Sequence, residues 1–421
     1  MAGGLDLRLR VTSPDFLALP WLQPLGEWDV TTVPIRDVPI GPSRHLVRFV
    51  EADGALWALK ELPLEVAQRE YDVLRAVEVR GLPAVRPAGI VVQPFEDTAI
   101  LVTRYLDRSW QYRRLLLRLP SPMRRHRERL FDAMAGLLVD LHRNGIWWGD
   151  GSLANTLFRR DGQIVQAWMV DAETSAVHPA LTDGQRLQDL DILVENVAGG
   201  LLEVAARLGE PHEVVDQVVD EVEGTRSRYY DLWDVLHHEP TIRLGDRHEI
   251  EARVRRLNDL GFAVDEVRLV GTGAGDETRL QVAVADRGFH ARELKRRTGL
   301  DVGEGQATIL LNDLRAHEAS APAGSGGPGG DAAQRWLDEV FRPGAERAYR
   351  AVGGVGDPIQ AYCDLLEVRW LLSERAGRDL GEGPALEALR HRAVPRESAA
   401  EMAVADVDTA EYPAVPVDED A

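Results

Sequence analysis

WWGDGSLANTLF (residues 147–158) sets one aspartate, Asp150, and one asparagine, Asn155, five positions apart between apolar residues. In WMVDAETS (168–175), Asp171 ends a second apolar run. Burying a charged or amide group without a partner is costly. Three such groups confined between hydrophobic segments therefore point to a ligand. A D-x-x-x-x-N loop lets the aspartate face an acceptor hydroxyl while the asparagine carbonyl turns back toward a metal. Asp171 can offer a carboxylate oxygen to that same metal. Mg2+ suits this set, because it takes few protein oxygens and completes its octahedron with phosphate and water.

Phosphoryl transfer needs in-line positioning and cancellation of charge on phosphate oxygens, with little covalent help. A cation should then reach the α/β-phosphates, and LWALKEL (56–62) supplies Lys60 at the end of a strand-like run. A carboxylate must hold that lysine extended; the next segment offers Glu70, with Glu65 as the nearer rival. The surrounding pattern is consistent. HLVRFVEADGALWALKEL (45–62) places two β-rich runs around Asp53-Gly54, a hairpin signal. PLEVAQREYDVLRAVEVRG (63–81) carries Val66, Tyr71, Leu74 and Val77 near helical spacing and ends at Gly81. AVRPAGIVVQPFEDTAILVTRYLD (84–107) gives two more strands around Glu96-Asp97. MRRHRERLFDAMAGLLVDLHRNGI (123–146) is an amphipathic helix with Leu130, Met134, Leu137, Leu138 and Leu141 on one stripe.

This order of strand–Lys, helix–Glu, paired strands, helix, D-x-x-x-x-N and Asp resembles the protein-kinase-like superfamily. LHRNGIWWGDGSLANTLF (141–158) resembles the H-G-D-x-x-x-x-N loop of lipopolysaccharide-core sugar kinases and aminoglycoside phosphotransferases. VDAETS (170–175) is closer to their D-F-E or D-x-D version of the metal motif than to D-F-G. With GPSRHLVRFV (41–50) and DPIQAYCDLLEVRWLLSERAGRD (357–379), the chain is also similar to a bacterial family of uncharacterised function. In that family a lipopolysaccharide-kinase-like domain precedes a C-terminal domain of its own. The kinase likeness covers residues 27–240, and the wider one reaches residue 395.

The resemblance implies an α+β, two-lobed protein-kinase-like fold, with a β-rich N-lobe and a helical C-lobe, followed by a small α+β module and C-terminal helices. It implies ATP and Mg2+ as cofactors. Asp150 would be the catalytic base, Asn155 and Asp171 the metal ligands, and Lys60 the α/β-phosphate contact with Glu70 as its partner. Ser43, Arg44 and His45 would stand in for a glycine-rich loop that keeps only Gly41, and the backbone of Arg104, Tyr105 and Leu106 would meet adenine. Three departures stand out. Trp148 replaces the usual histidine two before the base, with the expected loss of the hydrogen bond that braces the loop. Ser152 replaces a cationic γ-phosphate contact, and Ala172 follows the metal aspartate.

The expected organisation is an N-terminal extension (1–26), N-lobe (27–107), C-lobe (108–240), small α+β module (241–318), Gly/Pro/Ala linker (319–331), helical C-terminal segment (332–395) and acidic disordered tail (396–421). At 421 residues and 44% apolar the chain can build a sizeable core. Its formal charge of −20 argues against nucleic acid or anionic membrane as general partners. One cysteine, Cys363, excludes an internal disulfide; it lies on an apolar helix face with Ile359, Tyr362, Leu366 and Trp370, read as packing either on the kinase-like lobe or on a partner chain. No secretory signal or membrane-length apolar run is visible, so the expected location is the cytoplasm.

RSWQYRRLLLRLPSPMRRHRER (108–129) concentrates Arg108, Arg113, Arg114, Arg118, Arg124, Arg125, Arg127 and Arg129. It reads either as a solvated face paired with local carboxylates or as a surface for an anionic acceptor, with Trp110 and Tyr112 stacking. GTGAGDE (271–277) lies between two strand-like runs, so it is a hairpin loop rather than a dinucleotide fingerprint. The favoured function is γ-phosphate transfer from ATP to a hydroxyl of a small-molecule or carbohydrate acceptor. The rivals are a pseudokinase acting as a nucleotide-binding regulatory scaffold and, more weakly, an adenylyl transferase on the same fold. A protein partner or self-association through the C-terminal module is left open.

Overall fold

The computed structural model describes residues 5–10, 14–38, 44–94, 97–112, 124–209, 212–271, 277–320 and 330–406. Strands β1 (Asp6–Leu9), β2 (Ile35–Arg36), β3 (Val47–Ala52), β4 (Ala55–Pro63), β5 (Arg86–Val92) and β6 (Thr98–Arg104) form a six-stranded sheet in the order β1-β5-β6-β4-β3-β2. Each neighbouring pair is antiparallel. Successive side chains of a strand face opposite sides. In β4 this sends Ala55, Trp57 and Leu59 into one core with Phe16, Trp21, Leu25 and Trp28, and turns Lys60 toward the other face.

That other face is covered by a helix, Leu64–Val79, whose buried side carries Ala67, Glu70, Val73, Leu74 and Val77. Glu70 thus rides on the apolar stripe of its helix, while Glu65 is exposed. The boundary expected at residue 27 falls inside this unit. Residues 6–9 supply an edge strand, and Phe16, Trp21 and Leu25 cover the sheet, because the outer face of β4 needs an apolar lid.

The larger lobe is built on the helix Arg124–Arg143, which packs on the hairpin β9 (Thr156–Asp161) and β10 (Ile164–Met169) and on the helix His212–His237. Short strands β7 (Trp110–Gln111), β8 (Ile146–Trp147) and β11 (Ala176–Val177) tie down the connecting loops. The helix Asp183–Leu208 starts at a reciprocal capping box between Thr182 and Gln185. The whole is an α+β arrangement with a β-rich first lobe and a helical second one.

Beyond it, β12 (Thr241–Arg243), β13 (Phe262–Gly271) and β14 (Glu277–Arg287) form a three-stranded sheet beside the helix Arg247–Asp259. Residues 272–276 of the GTGAGDE stretch lie outside the described residues, between β13 and β14. The segment expected as one module divides its allegiance. Leu257 and Phe262 join the core of the larger lobe, whereas Leu294 and Leu310 join the core of the C-terminal helices. Those helices include Phe289–Thr298, Glu304–Ser320, Pro358–Ala376 and Glu382–Arg390.

Two further expectations need amending. Residues 399–406 of the expected acidic tail form a 3-10 segment whose Met402 is fully buried against the larger lobe, since Met402 and Ala400 are apolar and find a seam between the two cores; residues 407–421 lie outside the described residues. Trp370 is 60% exposed, so it does not share the packing of Tyr362 and Cys363.

Candidate active site

The strand that orients Lys60 and the helix that buries Glu70 bring the two together: the ammonium lies 3.2 Å from Glu70 Oε2. The same ammonium lies 2.6 Å from Asp171 Oδ2 of the larger lobe and 3.5 Å from Glu173 Oε2. Of the two glutamates weighed as its partner, Glu70 is the one in contact. His45 reaches the cluster from the other side, with Nε2 at 3.1 Å from Glu173 Oε2. One ammonium therefore faces three carboxylates. Burial opposes the charge on Lys60, but Glu70, Asp171 and Glu173 outweigh it and raise its pKa. Burial, reinforced by the Asp171 carboxylate, pushes Glu70 up to about 7 despite Lys60. Oxygens of Glu70, Asp171 and Glu173 all lie within 4.8 Å of one another, a spacing that can hold a metal ion.

Asp150 and Asn155 sit in the loop between β8 and β9. The Asn155 amide donates to the backbone and side-chain oxygens of Asp150, each at 3.0 Å, which leaves its carbonyl oxygen for another partner. Asn196, on the following helix, donates to the second Asp150 oxygen at 3.0 Å and to the Gly151 carbonyl at 3.2 Å. The Val170 amide donates to the Asn155 backbone carbonyl at 3.1 Å, so the backbone beside Asp171 is stitched to the loop.

The loop is held from below by Asp189, which is fully buried. Its carboxylate accepts the amides of Trp148 at 2.6 Å and Gly149 at 2.8 Å. His142 Nε2 lies 3.0 Å from the same carboxylate, and its Nδ1 lies 2.7 Å from the Tyr229 hydroxyl. Gly149 takes a φ of +79°, and a Cβ there would meet the Trp147 ring at 2.5 Å. Trp148 does not cost the loop its brace. Its indole Nε1 donates to the Asp171 carbonyl at 3.3 Å, because tryptophan carries an N–H donor of its own. Sequence reasoning passed over Asp189, Asn196 and Glu173. Glu173 alone had a local signal, as the third residue of the D-A-E motif.

The remaining expected site residues are more scattered. Gly41 and Ser43 lie outside the described residues, and Arg44 is exposed. In the expected hinge, Arg104 stacks over Trp57, with 5.1 Å from Cζ to the ring centroid, and Tyr105 meets Phe49 edge-on. The Tyr105 amide donates to Leu56 and the Leu106 carbonyl accepts from Ser109, so both groups have partners within the chain. In the arginine-rich stretch, Arg127 forms a two-pronged pair with Glu221, Arg129 donates to the Glu397 carbonyl and Arg108 lies 3.5 Å from Asp357. Arg113, Arg114 and Arg118, and the side chains of Arg124 and Arg125, lie outside the described residues. Trp110 and Tyr112 are buried in the core, which removes them as stacking platforms.

The β9–β10 hairpin joins Asn155 to Asp171 and is gripped at its far end by the C-terminal helices. Both Asp161 oxygens accept amides at the start of helix Glu304–Ser320, from Gly305 at 2.8 Å and Gln306 at 2.9 Å. Gln360 exchanges a pair of 2.9 Å hydrogen bonds with the backbone of Gly162, and Arg160 pairs with Asp364 in a buried fork. A Cβ on Gly305 would stand 2.0 Å from the Asp161 carbonyl oxygen, so only glycine permits this approach.

Comparison with known proteins divides the chain along similar lines. Residues 54–203 match the model of the Lipopolysaccharide kinase (Kdo/WaaP) family, and residues 231–393 match the Domain of unknown function (DUF4032). The first match contains Lys60, Glu70, Asp150, Asn155 and Asp171, and it supports a kinase-like phosphotransferase. Among solved structures, "WaaP in complex with acyl carrier protein" is similar at 16% identity; the match covers 48% of this chain and 89% of that one, with a TM-score of 0.31. No curated protein matches the chain. No helix among the described residues is long and apolar enough to cross a membrane.

Proposed function

We propose that the chain transfers the γ-phosphate of ATP to a hydroxyl of a carbohydrate-type acceptor, with Mg2+. The observation that carries this reading is the position of the Lys60 ammonium, 3.2 Å from Glu70 of its own lobe and 2.6 Å from Asp171 of the larger lobe. The donor chemistry fits a divalent cation. Three carboxylates surround a single ammonium, which leaves an excess of negative charge, and Asn155 meets Asp150 through its amide nitrogen rather than its side-chain oxygen. Asp171 and Asn155 would hold the ion, which when bound neutralises phosphate charge.

The chain's own groups have separable tasks. Glu70 keeps Lys60 extended toward the α/β-phosphates. Asp150, oriented by Asn155 and Asn196, accepts the proton of the acceptor hydroxyl as its oxygen bonds to the γ-phosphorus and the bond to the ADP oxygen breaks. Asp189 and Trp148 fix the loop that presents Asp150, so little reorganisation is left for the reaction itself. Acceptor choice belongs to the surface around Asp150.

The test is turnover of Mg-ATP against a panel of phosphorylated and neutral sugars, followed by phosphorus NMR. Asp150→Asn is expected to bind nucleotide normally and to lose roughly 10²- to 10⁴-fold in rate, the range for a general base. Transfer at the wild-type rate in that variant would remove Asp150 from the reaction.

A further inference from the structure

In the sheet order β12-β14-β13, strand β13 is an edge, paired with β14 on one side and with no strand on the other among the described residues. A β-bulge lies at its root, between Val264 and Glu266, and from Glu266 to Gly271 the pairing with β14 is regular. Every residue of that regular stretch is exposed, including Val267 and Leu269 at 39% and Val270 at 43%. FAVDEVRLVG contains neither lysine nor proline, the two residues that most often guard an open edge.

We propose that β13 pairs antiparallel with β13 of a second copy of this chain, about a two-fold axis at Val267. The choice of occupant rests on charge. A two-fold pairing of identical strands sets residue i opposite residue j with a fixed sum. Because facing side chains must share one side of the sheet, that sum is even and the axis passes through a residue. With the axis at Val267, Glu266 faces the copy's Arg268 and Arg268 faces its Glu266, while Val267 meets itself. With the axis at Arg268, two guanidinium groups would collide. With the axis at Leu269, Arg268 would face Val270 and Glu266 would face Thr272, beyond the end of the strand, so neither charge would meet an opposite one. Of these registers only the first sets Glu266 and Arg268 in cross-strand pairs, and such pairs stabilise a sheet while like charges directly opposite destabilise it.

Within one chain Glu266 and Arg268 already form a two-pronged pair, each contact 2.8 Å, on one side of the strand. They therefore stand ready to meet the same pair on a second copy. Val267 and Leu269 lie opposite Val282 and Leu280 of β14 on the other side. Leu280 is fully buried, so the second copy would extend an apolar layer that now ends at a half-covered rim. The result is one continuous six-stranded sheet across two chains.

The test is sedimentation of the full-length chain across the micromolar range. The wild type is expected to be a dimer. Glu266→Arg and Arg268→Glu should each associate at least tenfold more weakly, since each sets like charges opposite one another twice. An equimolar mixture of the two variants should dimerise again, because every facing pair is then opposite in sign. Rescue by mixing cannot arise from the pair inside one chain. Val267→Lys, which leaves both charged residues in place, should also give a monomer with an unchanged melting curve. A monomeric wild type, variants that still dimerise, or a mixture that stays monomeric would each overturn the pairing.

Discussion

Asp171 and Asp161 stand at opposite ends of the same β9–β10 hairpin, and their surroundings could hardly differ more. Asp161 is 6% exposed and both its oxygens accept backbone amides at the start of a helix, where the helix dipole also favours a negative charge. Burial still raises its pKa against those amides. Asp171 is half-buried and shares one ammonium with two other carboxylates. One end is satisfied by the chain itself. The other carries a surplus of negative charge that a cation from outside can balance. Aspartates with equal formal charge thus separate into a clamp and a candidate site according to whether the chain completes their bonding.

If the tip is a clamp, its loss should appear as instability. Asp364→Ala strands the Arg160 guanidinium in a buried site and is expected to cost about 3–5 kcal/mol, the range for breaking a buried pair. Urea unfolding measures it, and a cost below about 0.5 kcal/mol, the size of a surface substitution, would erase the contrast between the two ends.

A smaller effect sharpens the functional end. Trp148→Phe removes the indole N–H from the Asp171 carbonyl while keeping a large ring in the core. The expected stability loss is about 1 kcal/mol, with turnover falling several-fold at unchanged nucleotide affinity. Unaltered turnover would mean that the brace is not needed at the Asp171 end.

A third effect is a pH dependence. Burial raises Glu70 from its ordinary 4.5 to about 7, so its contribution to stability is fully present below pH 4.5 and is lost as pH rises through about 7. In metal-free, nucleotide-free protein, Glu70→Gln should flatten the stability profile across that window. An identical profile in the variant would show that Glu70 does not titrate there.

What could be read from residues alone followed the range of the interactions. Lys60 and Glu70 were legible because each obeys a local period: alternation along β4, and a helical stripe shared with Ala67 and Leu74. That stripe also separates Glu70 from Glu65. The D-x-x-x-x-N loop was legible as a motif. Asp161 was not legible as a clamp, since its carboxylate meets Gly305 and Gln306 far along the chain and nothing local announces it. Asp189 escaped for the same reason: on its own helix it is one acidic residue among several, and only the fold carries the Trp148 and Gly149 amides to it. The Trp148 substitution was read as a lost bond because histidine was the reference, although the indole can donate in its place.

The most direct test of the central claim is calorimetric titration of the chain with a non-hydrolysable ATP analogue, with and without Mg2+, in wild type, Lys60→Met and Asp171→Asn. The account predicts tight, metal-dependent binding in the wild type, weaker binding in Lys60→Met, and loss of the metal dependence in Asp171→Asn. Binding of equal strength in all three proteins, with or without the ion, would contradict it.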